Sequence, residues 1–228
     1  MESTSSTTVS SRLPPSSNAD SKNPPRLHLS RYVSPSSGYT FPSLYSFPPF
    51  FTRQPNPLTW SHQRSQWIHL ILSHSRHTRT SYFPPISSTT GLESFELFHN
   101  DKIKRTLSRE TFIEILTFMA SSTPPTIEFI PQTGSTKTFK TSSVEGGCYV
   151  YWKTPQEWAE TIYDWIRETG QQGAILTFYE LTESDPTLDL YQLPTGLLKK
   201  VLDLLQKQGK CSVLRGTLGE EGDGVKFV

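Results

Sequence analysis

The residues of this chain that could do chemistry are scattered, and their spacing decides what they could do. His62, His69, His74 and His77 lie along one stretch, the last two three residues apart, a spacing that puts both on one face of a helix. Paired imidazoles hold a metal when a carboxylate or thiolate completes the shell. None stands nearby, so the stretch reads as a solvated helix face. Cys148 and Cys211 are far apart with no CxxC, which suggests neither a zinc site nor a disulfide framework. Both fall in strand-like runs, as buried free thiols do in a reducing compartment such as the cytosol. There is no GxSxG elbow, no phosphate-binding loop and no HExxH. Gly219, Gly222 and Gly224 have the wrong order for a dinucleotide loop and read as wing-turn glycines. Glu180 and Glu183 are neighbours in sequence only. Without convergent reactive groups no enzyme is expected, and no metal or cofactor with it.

The informative chemistry is apolar. In Ser46-Phe-Pro-Pro-Phe-Phe-Thr-Arg-Gln-Pro-Asn56, Pro48 and Pro49 fix their own φ and push their predecessors toward extended backbone. The expectation is a polyproline-like rod carrying the rings of Phe47, Phe50 and Phe51. One reading packs those rings on this chain's own domain as an N-terminal arm. The other makes Phe47, Pro48, Pro49, Phe50 and Phe51 a preformed peptide for a groove on another protein. On the second reading, Phe50→Ala with Phe51→Ala weakens docking and leaves the melting of the isolated chain unchanged.

The elements that must carry this arm follow in order. Residues 1–38 are rich in Ser, Thr and Pro with few large apolar side chains, too few to offset the entropy of ordering, and read as a disordered tail. Arg12, Lys22, Arg26 and Arg31 give it a basic bias, but Pro14, Pro15, Pro24 and Pro25 break the amphipathic helix of an organelle transit peptide. Residues 39–57 form the proline/aromatic arm. From Leu58 to about His77, Trp60, Trp67, Ile68, Ile71 and Leu72 recur at helical spacing, with Asn56 or Thr59 as cap. Tyr82 and Phe83 make a short strand, Asp101–Thr106 a short charged helix, and Ser108 caps a helix with Phe112, Ile115, Leu116 and Met119 buried. Two strands follow, Ile127–Ile130 and Cys148–Trp152, joined by a polar loop.

Thr154-Pro155-Gln156-Glu157 is a capping box opening the next helix. Ala174–Leu181 reads as a strand and Thr187–Tyr191 as a short helix. Pro194 opens a helix with a wide leucine face, and Cys211–Leu214 pairs with Val225–Val228 across a turn at Asp223-Gly224. The same order of elements thus occurs twice, each time that of a helix-turn-helix with a β-hairpin wing. The fold class is α+β, helix-dominated: two tandem winged-helix domains, 58–153 and 154–228, after the tail and arm.

Several dispersed segments carry a resemblance. The Ser46–Asn56 stretch, Leu97-Phe98-His99-Asn100, Tyr151-Trp152-Lys153 with Pro155, Glu157 and Trp158, Leu176-Thr-Phe-Tyr-Glu-Leu181 and Gly224-Val-Lys-Phe-Val228 together resemble the small subunit of ESCRT-II, the endosomal sorting complex, from about Tyr45 to Val228. The resemblance implies a scaffold present in two copies beside one copy of each of two larger ESCRT-II subunits. The proline–phenylalanine segment would dock on those subunits. The second domain would bind the first-acting ESCRT-III subunit, with Tyr179 and Glu180 as trial contacts. It further implies a cytoplasmic protein recruited indirectly to the endosomal membrane, sorting ubiquitinated cargo into multivesicular bodies. The tail inherits no role.

The alternative is a winged-helix DNA-binding regulator. A net charge of +1 over 228 residues is no basic footprint. Arg109 is opposed by Glu110 and Glu114 on the first candidate recognition helix, and Asp203 stands among Lys199, Lys200 and Lys207 on the second, so phosphate neutralisation would be meagre.

Overall fold

Asn56 starts the first long helix. Its side-chain Oδ1 accepts from the amides of Leu58 and Thr59 at 2.9 and 3.3 Å, Pro57 takes the first helical position, and Arg79 ends the helix in the left-handed region. The computed structural model describes residues 31–86, 89–131, 146–214 and 223–228. The expectations for residues 1–30, for most of the polar loop before Cys148, and for Gly219 and Gly222 lie outside them.

In chain order a hairpin of β1 (Tyr32–Val33) and β2 (Thr40–Phe41) leads into two 3-10 turns, Ser43–Ser46 and Pro48–Phe51. Then come α1 (Pro57–Thr78), β3 (Tyr82–Phe83), α2 (Thr89–Glu93), a hairpin of β4 (His99–Asn100) with β5 (Arg105–Thr106), α3 (Arg109–Ser121), β6 (Ile127–Phe129) and β7 (Cys148–Val150). The sheet order is β3-β7-β6, all antiparallel. At Gly147 φ is +78° and a Cβ would lie 2.6 Å from the Phe83 carbonyl oxygen, so the strand pair closes there only on glycine. The second unit repeats the plan with α4 (Pro155–Glu168), β8 (Ile175–Thr177), α5 (Phe178–Glu183), α6 (Thr195–Lys207), β9 (Cys211–Leu214) and β10 (Gly224–Phe227), in sheet order β8-β10-β9. Two winged helices in tandem result. One apolar core runs from Phe41 to Val150 and the other from Tyr151 to Phe227.

Several local expectations are corrected. Arg31–Gly38, read as tail, is ordered into β1 and the β1–β2 turn because Tyr32 packs on Phe41 and Tyr45. Asp101–Thr106 is the end of a hairpin, not a helix. The Ala174–Leu181 strand stops at Thr177, whose hydroxyl accepts from the Glu180 amide while the Glu180 carboxylate accepts from the Thr177 amide. That capping box turns the chain into α5. Thr187–Tyr191 forms turns. Gly224 sits in β10 opposite Leu214, not at the tip of the wing. Cys148 and Cys211 are free and buried, and burial pushes their thiols up to about 12 and about 11.

The two domains are fastened side to side. Trp152 Nε1 donates to Ser81 Oγ at 2.8 Å, and Arg76 Nη2 donates to the Trp152 carbonyl at 2.9 Å. Glu128 of β6 accepts from Tyr151 Oη at 2.5 Å and from Lys200 of α6. Its burial favours the protonated acid, but these two hydrogen bonds prevail and hold the carboxyl below its ordinary value.

Candidate functional site: the aromatic arm and its groove

Tyr45, Phe50 and Phe51 reach the core because the arm turns where the sequence suggests a rod. Phe47, preceding Pro48, is extended at φ −100° and ψ 109°. The Phe50 amide then bonds the Phe47 carbonyl at 2.9 Å and the Thr52 amide bonds that of Pro49 at 3.1 Å. These two bonds curl Pro48–Phe51 into a 3-10 turn. The polyproline-like rod is therefore corrected. The physical reason is Trp67: the Phe50 ring stacks on its indole at 4.3 Å and 7°, and Phe51 meets it edge-on at 5.4 Å. Burying both rings against a tryptophan favours the curled form over an extended one that leaves them in water.

The structure divides the five candidate residues. Phe50 and Phe51 are 4% and 3% exposed. Phe47 is half-buried, and Pro48 and Pro49 are exposed. Phe50 and Phe51 thus anchor the arm to this chain, and the expectation that their loss leaves melting unchanged does not suit such burial. Phe47 and the proline pair form the outer ridge. Between that ridge and α1 lies a groove of about 400 Å³, lined by Leu44, Phe47, Pro49 and Phe50 on one side and Thr59, His62 and Gln66 on the other.

Gln63 is the residue that sequence reasoning missed. Its side chain is 6% exposed, and Nε2 donates to the Phe50 carbonyl at 2.7 Å and the Thr52 carbonyl at 3.0 Å. Its Oε1 accepts from the Gln54 amide at 3.2 Å. Trp67 Nε1 donates to the same Phe50 carbonyl at 3.1 Å. A 3-10 turn leaves carbonyls without partners, and Gln63 supplies them from a helix position that apolar periodicity passes over. Upstream, Phe41 stacks on Tyr45 at 4.0 Å. Tyr45 Oη donates to the carbonyls of Glu96 and His99, the latter at 2.7 Å, and burial pushes this phenol well above its ordinary range.

Beside the arm, His74 and Glu96 depart from the solvated-face expectation. His74 is buried with Nε2 at 2.8 Å from Glu96 Oε1. Burial lowers its pKa, against the opposing pull of Glu96. Glu96 also accepts from the hydroxyls of Ser34, Ser36 and Ser37. Partial burial acts to raise its carboxyl, and these donors with His74 outweigh that and hold it at about 2. On the outer end of α1, Arg53 forks onto Glu114 at 2.7 and 3.2 Å while Trp60 Nε1 donates to the same carboxylate at 2.7 Å.

Among the described residues, no group of three or more His, Cys, Asp or Glu is placed to hold a metal, and no helix is long and apolar enough to cross a membrane. Three of the basic side chains on the two candidate recognition helices are engaged, while Lys207 is exposed. Arg109 Nε donates to the Ile86 carbonyl, Lys199 pairs with Asp223 and Lys200 with Glu128. In the second domain, Ile175, Tyr179 and Leu214 are 61%, 69% and 42% exposed. Glu180, by contrast, is engaged in the α5 cap. The geometry leaves an aromatic–proline ridge beside an apolar groove on the first winged helix, and exposed apolar side chains on the second.

A family model described as ESCRT-II complex subunit matches residues 44–194. The chain is 36% identical over 179 residues to the vacuolar protein-sorting-associated protein 25 of Schizosaccharomyces pombe, covering 78% of this chain and 93% of that one. It is 33% identical to that of Drosophila melanogaster, covering 83% and 98%, and 32% identical to that of Homo sapiens, covering 83% and 97%. The crystal structure of subunit VPS25 of the endosomal trafficking complex ESCRT-II superposes with TM-score 0.66 at 28% identity, covering 82% of this chain and 98% of that one. A chain of the crystal structure of endosomal complex ESCRT-II (VPS22/VPS25/VPS36) superposes with TM-score 0.64 at 29% identity, covering 82% and 98%.

Proposed function

The chain belongs to the ESCRT-II subunit family, among the relatives of vacuolar protein-sorting-associated protein 25, and from that premise we propose that it is a non-catalytic scaffold whose arm docks the first domain onto the two larger ESCRT-II subunits. Two copies of this chain join one copy of each larger subunit. The second domain binds the first-acting ESCRT-III subunit and nucleates its assembly. The protein works from the cytoplasm, held indirectly at the endosomal membrane, in multivesicular-body sorting of ubiquitinated proteins. The mechanism is geometric: two rigid arms present two nucleation points at a fixed spacing and raise the local concentration of the next component.

The observation that carries this reading is the ridge of Phe47, Pro48 and Pro49 standing over its apolar groove. A partner that covers it meets a surface already ordered, with Phe50 and Phe51 buried beneath, so little conformational entropy is lost on docking. On the second domain, register puts Ile175, Thr177, Ser212, Leu214, Gly224 and Lys226 on one face of the sheet. Ile175 and Leu214 flank the bare Gly224 there, a shallow apolar spot suited to an amphipathic helix.

The test is size-exclusion chromatography with light scattering on mixtures with both larger subunits. Wild type should give a complex holding two copies of this chain. Phe47→Ala with Pro49→Ala should lose it while melting within a few degrees of wild type. No complex with wild type would overturn the scaffold reading.

A further inference from the structure

Ser34, Ser36 and Ser37 turn all three of their hydroxyls onto one carboxylate, that of Glu96. The hairpin that carries them is slight. Only Tyr32↔Phe41 and Val33↔Thr40 pair across it, closed by the Ser34 amide on the Tyr39 carbonyl at 2.9 Å and the Gly38 amide on the Ser34 carbonyl at 3.1 Å. Ser34 is buried, Ser37 half-buried and Ser36 exposed. A hairpin this short opens locally at small cost, so its serines are reachable by an enzyme that needs extended chain.

We propose that this serine triad, with Ser36 as the first acceptor, is a phosphorylation site whose modification unlatches the β1–β2 hairpin and so weakens the arm. In the reaction, Oγ of Ser36 attacks the γ-phosphorus of ATP on a protein kinase. The bond from that phosphorus to the ADP oxygen breaks, ADP leaves, and the hydroxyl proton passes to the kinase's base. The serine loses its donor and gains close to two negative charges. In the folded hairpin those charges stand against the ionised Glu96, where the hydroxyl had donated. The imidazole beneath, that of His74, is buried and leaves Nδ1 without a protein partner, so it offers the phosphate no ready cation. His77 and Lys102 are the nearby groups of opposite tendency. The ring of His77 bonds the Ser37 carbonyl at 3.0 Å, and Lys102 Nζ lies over the Tyr32 ring at 4.9 Å.

The consequence travels through packed rings. Tyr32 stacks on Tyr45 at 5.8 Å, and Tyr45 meets Phe51 at 5.3 Å. A released hairpin removes one wall of the pocket in which the arm is held. The link to partner docking rests on the function proposed above, whereas the unlatching itself does not.

Three measurements test it. Trypsin would release Tyr32–Arg53 as one peptide, and mass spectrometry of the chain purified from its own cells with phosphatases inhibited should find phosphate on Ser34, Ser36 or Ser37. Phosphoserine installed at position 36 of the full chain should speed amide exchange across 33–41 by about ten-fold. Adding Glu96→Gln should bring the rate back near the unmodified value, because a carboxamide donates to the phosphate instead of repelling it. Absence of phosphate from all three serines, or exchange unchanged by phosphoserine, would overturn the proposal. Faster exchange with undiminished complex formation would instead keep the latch and separate it from docking.

Discussion

The two winged helices share an order of elements and are held together by different physics. Every buried polar or charged residue among those described, Ser34, Gln63, His74, Ser75, Ser81, Asn100 and Thr111, belongs to the first domain or to the hairpin ahead of its arm. The second domain closes α4 on α6 with Trp158, Ala159, Ile162 and Ile166 against Leu197, Leu198, Val201, Leu202 and Leu205. Apolar burial is strong and indifferent to direction. Buried hydrogen bonds add little net stability and dictate geometry, since leaving one unmade is costly. In the first domain Gln63 and Asn100 donate to the arm's own carbonyls, and Ser34 and His74 meet beside it on Glu96, so part of its buried polar chemistry fixes the arm in one place.

The sharpest way to break this contrast is to empty the arm's anchor. Phe50→Ala with Phe51→Ala should destabilise the first domain by on the order of 5 kcal/mol, because each ring leaves a cavity against Trp67. The second domain should keep its own transition. Fluorotryptophan labelling followed by 19F NMR in urea reports both at once, as Trp60 and Trp67 lie in the first domain and Trp152, Trp158 and Trp165 in or at the edge of the second. A single unshifted transition would mean that the arm is not part of the first core.

Gln63→Leu keeps the volume and removes the donors to the Phe50 and Thr52 carbonyls. The expected loss is about 2 kcal/mol, the usual penalty for stranded buried acceptors. Gln156→Leu on the exposed surface of α4 should change almost nothing by the same urea titration. Equal effects at the two glutamines would dissolve the distinction between a polar staple and a polar surface.

Much of this was legible in the sequence, for reasons that also mark its limits. Capping chemistry is local, so Asn56, Ser108 and Thr154 announce their helices within four residues. The duplicated order of elements follows from apolar periodicity, which is equally local. The arm's conformation was not legible, because two prolines favour an extended chain and only the distant Trp67 and Gln63 outweigh that. His74 failed similarly: nothing within its own helix indicates Glu96, twenty-two residues on. At Thr177 a strand-like composition lost to a capping box that was itself readable as Thr177 and Glu180. The sequence therefore shows which segment is unusual, and contacts far along the chain decide whether its rings face inward or outward.

Acid separates the domains by a smaller effect. The folded Glu96 carboxyl, at about 2, lies below its ordinary 4.5, so its contribution is complete above that ordinary value and is lost as pH falls toward 2. Buried His74 is also depressed, below 6.5. It stabilises while neutral and its contribution fades as pH drops beneath 6.5, so the two losses have the same sign. The second domain's depressed carboxyls all sit in solvent: Glu157 and Glu180 are held down first by the Thr154 and Thr177 amides of their capping boxes, and Asp185 first by the Thr187 hydroxyl. Denaturation followed from pH 7 to 3 should show the first domain weakening earlier and with little salt dependence, and the second later and more salt-sensitive. Glu96→Gln should flatten the first domain's curve below pH 4.5 and also move the part carried by His74, whose imidazole loses the opposing pull of that carboxylate.

The smallest effect probes whether the two domains are one body. A Cβ at Gly196 would fall 2.1 Å from Tyr149 Oη and 3.1 Å from its Cζ, so Gly196→Ala must swing that ring off α6. Tyr149 is half-buried and its hydroxyl is the far end of the side chain, so the ring can yield at a stability change under about 1 kcal/mol. The joint would then rest on polar contacts: the Glu128–Lys200 pair, the Trp152–Ser81 bond, Arg76 on the Trp152 carbonyl, and Arg79 on Pro186 and Asp189. Spin labels on Thr117→Cys and Gln206→Cys, both exposed sites in a chain whose own cysteines are buried, read the inter-domain distance by electron double resonance. A broadened distribution in Gly196→Ala would make the Tyr149 contact the element that sets the angle between the two winged helices. An unchanged distribution would assign that angle to the polar contacts, and the chain's division between polar precision and apolar bulk would then extend to the seam between its halves.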